Sequence, residues 1–94
     1  MDQAAFIAHV SENDKPDPSW SRALQALWYA EKSEWDTAHA LCQQGNDMVD
    51  CWIHANLHRE EGDLGNARYW YQRAAQPEHK GTVQEERYEI LATL

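Results

Sequence analysis

Ninety-four residues make one small domain, residues 1–94, with room for a single core, because scaling laws let a chain of this size bury about 65% of its unfolded surface. Eight Lys and Arg against sixteen Asp and Glu leave a net charge of −8, a field that repels phosphate and argues against nucleic acid or an anionic membrane as partner. The mean hydropathy of −0.83 understates the core, since five Trp and four Tyr carry large apolar ring surfaces that such an index scores as nearly polar.

No run approaches the roughly 18 apolar residues of a membrane span, and the opening MDQAAFIAHV lacks a basic segment followed by a long apolar one, so the expected location is cytoplasmic. Residues 2–12 have helical apolar spacing and end at a stiff loop holding Pro16 and Pro18. Asp17 is the expected cap of the next helix, with Pro18 at its first position and Trp20, Ala23, Leu24, Leu27 and Trp28 on its stripe to about Glu31. Ser33 is expected to start a helix bearing Trp35, Ala38, Leu41 and Cys42, stopped by Gly45. Asp47 opens another carrying Met48, Val49, Trp52, Ile53 and Leu57 to Gly62, and Asp63 caps the next with Leu64, Ala67, Tyr71 and Ala74 inward. Thr82 and Glu85 have capping-box spacing for a last helix with Val83, Ile90, Leu91 and Leu94. No segment alternates with period two, so the fold class is all-α.

The segment Ser33 to Ala38 overlays Gly62 to Ala67 at a period of 29, and Ala26 overlays Ala55 at the same offset. Two antiparallel helical hairpins follow, flanked by an N-terminal helix and a C-terminal capping helix. The string from Glu61 to Ala67, followed by Tyr71, Arg73 and Ala74, resembles the turn and second helix of a tetratricopeptide repeat (TPR). A period of 29 against that family's 34 implies a tighter connection between the pairs. The strings from Trp35 to His39, from Trp52 to Asp63 and from Asn66 to Ala74 are also similar to those of a group of short microbial proteins of uncharacterised function, which implies a fold and no activity.

Cys51, His54, His58 and Glu61 are spaced three, four and three residues apart, which puts them on one stripe of a helix. A His pair at i and i+4 can chelate a metal, but the residue after the first His is Ala55, so the general base of the hydrolase form is missing. The TPR resemblance implies that Cys51, His54 and His58 face the partner helix as packing, and no metal or cofactor is expected. It also implies that Trp52, Asn56, Arg59 and Glu60 line a concave face. Residues 52–76 hold Arg59, Arg68 and Arg73 against three acids, whereas the remainder holds 5 basic against 13 acidic residues. Arg59 and Arg73 lie at similar distances from the Gly62–Asp63 turn, so their guanidinium groups are expected to share one anion-attracting spot.

The run from Arg68 to Arg73 interleaves basic and aromatic residues, yet a helix spreads those rings around its circumference and spoils a base-stacking platform. Cys42 and Cys51 are expected to be reduced, buried hydrophobes, although either thiol beside His39 or His54 has the makings of a nucleophile. The expected function is a non-enzymatic TPR-like interaction module for a protein segment or small acidic ligand. Its expected ligand-binding residues are Trp52, Asn56, Arg59, Arg73, His54 and His58. Two alternatives are a small enzyme or metal-dependent hydrolase using His39, His54, His58 and Glu61, and a structural homo-oligomer, for instance a homodimer.

Overall fold

A computed structural model describes all 94 residues and contains six helices and no strand: α1 (Gln3–Glu12), α2 (Arg22–Glu31), α3 (Trp35–Cys42), α4 (Met48–Glu60), α5 (Leu64–Ala74) and α6 (Val83–Ala92). None is long and apolar enough to cross a membrane. The fold is all-α, as its 3.6-residue periodicity requires.

The period of 29 is written into the backbone. After α2, the amides of Lys32, Ser33 and Glu34 donate to the carbonyls of Trp28, Ala30 and Tyr29; after α4, those of Glu61, Gly62 and Asp63 donate to Leu57, Arg59 and His58, the same bonds shifted by 29 residues. Each is a paired closure that satisfies the last carbonyls of a helix and reverses the chain, and it needs one left-handed residue. Gly62 supplies it at φ 84° without penalty, and Ser33 takes the equivalent position at φ 61°. Three-residue turns therefore fold α2 onto α3 and α4 onto α5.

Three of the expected caps form. Asp47 and Asp50 make a reciprocal capping box at the head of α4, Asp63 accepts from the Asn66 amide, and Thr82 accepts from the Glu85 amide. Two starts differ from expectation. Asp17 instead closes a turn, accepting from the amide and hydroxyl of Ser19, and Ser21 caps α2 by accepting from the Leu24 amide at 3.2 Å. The helix after Ser33 begins at Trp35, because Ser33 is spent on the left-handed closure.

α4 sits at the centre and touches α2, α3, α5 and α6. Its residues from Ile53 to His58 are all buried, the signature of a helix surrounded on every side. The main core joins Phe6, Leu24, Leu27, Trp28, Ile53, Leu57, Ile90 and Leu91, and Trp28 reaches α1 by donating from Nε1 to His9 Nδ1 at 2.9 Å. A smaller cluster of Ala55, Ala67 and Tyr71 holds α5 close to α4. Ala67 is 2% exposed, so Ala67→Leu forces three carbons into a closed contact. The expected loss is about 1–3 kcal/mol, read by urea denaturation, and an unchanged midpoint would place the α4–α5 contact elsewhere.

Candidate functional site

The central helix presents chemistry on two sides. Toward α6 it offers Trp52, Asn56 and Arg59, three of the expected ligand-binding residues, and α6 already fills their polar capacity. Glu86, fully buried, accepts from Trp52 Nε1 at 3.1 Å, from Asn56 Nδ2 at 2.8 Å and from the Tyr71 hydroxyl at 2.6 Å, with Arg59 Nη1 at 3.5 Å. Arg59 also donates to the Gly81 carbonyl. Burial, then the adjoining carboxylate, raises the Tyr71 hydroxyl above the ordinary tyrosine range and keeps it a donor. Next to this network Arg87 donates from Nε to Asn56 Oδ1 at 2.8 Å and pairs through Nη2 with Glu60 at 2.8 Å. The stripe thus recognises a carboxylate, and the carboxylate comes from the same chain.

Glu86 and Arg87 escaped the sequence reading, which took only the apolar residues of the last helix. A signal was present: both fall between Val83 and Ile90–Leu91 at helical spacing, so they share the inward stripe of α6. A charged pair on a core stripe needs buried partners of opposite charge.

Toward α3 and α5 the same helix offers histidines. His54 lies flat on Trp70 with ring centroids 3.8 Å apart and 12° between planes, and stacks on His58 at 4.8 Å and 25°. His39 arrives from α3, flat on Trp35 at 4.6 Å and edge-on to His54 at 4.5 Å. Trp35 is itself fixed, donating from Nε1 to the Leu57 carbonyl at 2.8 Å. One ligand nitrogen from each of His39, His54 and His58 lies within 4.8 Å of the others. His58 Nδ1 and Glu61 Oε1 are 3.2 Å apart. Burial first, with the neighbouring histidines adding to it, depresses His54 to about 3, and burial also lowers His39. At neutral pH these two rings are uncharged and carry lone pairs.

Cys51 and Cys42 are both buried and free. Burial raises both thiols, Cys42 up to about 12, which leaves them protonated and poor nucleophiles. Cys51, though on the histidine stripe, is not among the grouped ligand atoms.

Arg73 does not join Arg59. Its guanidinium lies 5.2 Å over Trp70 and 5.9 Å over Tyr69, and Nη1 donates to the Tyr69 hydroxyl at 3.3 Å. Arg22, Arg59, Arg68 and Arg87 each pair with a carboxylate, and Arg73 alone of the five arginines has none. The shallow depression elsewhere on the surface, about 240 Å³ beside Arg22, Asp50 and Leu94, touches none of these groups. Comparison with known proteins leaves the geometry to speak for itself: no family model, curated protein or solved structure matches this chain.

Proposed function

We propose that the chain is a small helical-repeat interaction module that binds an acidic protein segment through the outer face of α5, where Tyr69, Trp70 and Arg73 lie together. The carrying observation is the pairing of Arg73. In a chain of net charge −8, one guanidinium stands without a carboxylate and is held over two aromatic faces. Trp, Tyr and Arg are the residues that dominate binding energy at protein interfaces, and an arginine already positioned by ring stacking loses little further entropy when a carboxylate arrives. The concave stripe of Trp52, Asn56 and Arg59 is a poorer dock, since a partner would first have to displace Glu86.

The test is a titration of isotope-labelled protein with a synthetic peptide rich in Asp and Glu around one aromatic residue. The Trp70 indole and Arg73 side-chain signals are expected to shift, and Arg73→Ala to weaken binding about tenfold or more. Stability should be nearly unchanged, because a cation–π contact in full solvent adds little to it. Unshifted Trp70 and Arg73 signals, or an Arg73→Ala variant that binds as tightly as the parent, would refute the assignment.

A further inference from the structure

The five histidines of this chain divide into two kinds. His9 Nδ1 accepts from the Trp28 indole, and His79 accepts from the Gly81 amide and bonds Glu89 at 2.8 Å, and neither stands near a second histidine. His39 and His54 make no side-chain hydrogen bond at all, although His54 is 2% exposed. Stacking on Trp70 and His58 holds the His54 ring in place and leaves both of its nitrogens free of hydrogen bonds. His58 has one bond, to Glu61, and its other nitrogen is free. Three imidazoles, each with at least one nitrogen free of hydrogen bonds, bring ligand atoms within 4.8 Å of one another.

We propose that His39, His54 and His58 form a binding site for a divalent transition ion of the zinc class, with Glu61 orienting His58 from outside the ligand set. Neutral imidazole nitrogen suits such ions, whose bonds of about 2.0–2.1 Å place tetrahedral ligand nitrogens roughly 3.4 Å apart. Ligand atoms within 4.8 Å reach that separation by side-chain rotation. The remaining features are those of a metal centre. With Glu61 accepting a hydrogen bond from His58 Nδ1–H, the Nε2 lone pair is left for the ion, the carboxylate–histidine arrangement that fixes a ligand's tautomer. Trp35 and Trp70 lie flat against His39 and His54 and wall the cluster on two sides. His39 is half-buried and Glu61 exposed, so the cluster lies at the edge of the fold, within reach of solvent.

This inference goes beyond the α5 docking face, with which it shares only Trp70 as a neighbour. It also replaces the expectation, drawn from the sequence, that the protein carries no metal.

The experiment is a Zn²⁺ titration by calorimetry of chelator-stripped full chain at pH 7.5, with Co²⁺ absorption as the geometric probe. One equivalent is expected to bind, Co²⁺ is expected to give the intense visible bands of a four-coordinate ion, and Zn²⁺ is expected to raise Tm. Glu61→Gln should weaken Zn²⁺ binding about 10–100-fold, and His39→Gln or His58→Gln by more than that. His9→Gln and His79→Gln should leave it unchanged. Because His54→Gln removes a ring from the interior, the partly exposed His39 and Glu61 carry the decision if that variant fails to fold. Absence of a one-to-one complex in the folded parent, or equal weakening by the His9 and His79 variants, would overturn the site.

Discussion

Glu86→Ala is expected to cost about 3–5 kcal/mol, the range for removing one partner from a buried ion pair and leaving the other charge uncompensated. The carboxylate is the only acceptor for the Trp52 indole and for the Tyr71 hydroxyl, so both become unsatisfied donors. Asn56 retains the Val83 carbonyl and Arg59 retains that of Gly81, but the Arg59 charge loses its counterion. A domain of this size has roughly 5–15 kcal/mol in total, so the loss consumes a large share of it. Tm should fall by roughly 12 °C or more. Glu86→Gln retains the volume and an acceptor, and should lie between the parent and the alanine variant. A loss under about 1 kcal/mol for Glu86→Ala would mean that the apolar contacts of Ile90 and Leu91 hold α6 without help.

The same network explains why the polar stripe of α4 points from sequence to a ligand that the fold does not need. Trp52, Asn56 and Arg59 are spaced as a polar face of one helix, and nothing in that spacing says whether a partner or the chain itself will cover it. α6 covers it, which depends on how a six-helix chain closes and not on local pattern. Caps and turns, by contrast, are local. Asp47, Asp63 and Thr82 announce their helices, and the bonds after α2 and α4 repeat at the spacing read from Ser33 and Gly62.

Where local signals compete, the sequence is ambiguous. Asp17 and Ser21 are both good caps four residues apart, and the turn between Asp17 and Trp20 decides in favour of Ser21. Leu64 and Met48 read as stripe residues but begin their helices, where the chain enters from the surface, and both are exposed. For the histidines, the three- and four-residue steps place His54 and His58 together on α4. The convergence of His39 with them depends on the docking of α3 against α4, through Trp35 and the Leu57 carbonyl.

The metal-free protein is expected to lose stability steeply as pH falls from 7 to 5. In the unfolded chain His54 takes up a proton near 6.5; in the folded chain burial first, then His39 and His58, hold it down to about 3. Between those values the unfolded state binds one more proton than the native state, so stability increases with pH across the window and is fully present above about 6.5. The slope approaches about 1.4 kcal/mol per pH unit, which amounts to about 2 kcal/mol lost by pH 5 from His54 alone. His39, also lowered, adds in the same direction. The groups facing the His54 ring are His39 from α3, His58 from α4 and Trp70 from α5, none of them an acid that would favour its charged form. Ordinary carboxylates titrate mainly below this window, so urea denaturation at pH 7, 6 and 5 in the presence of chelator isolates the histidine effect. His54→Gln should flatten the profile whatever it does to stability at pH 7. A parent whose unfolding free energy is level from pH 7 to 5 would show that His54 is solvated, and that Trp70 and His58 do not enclose it.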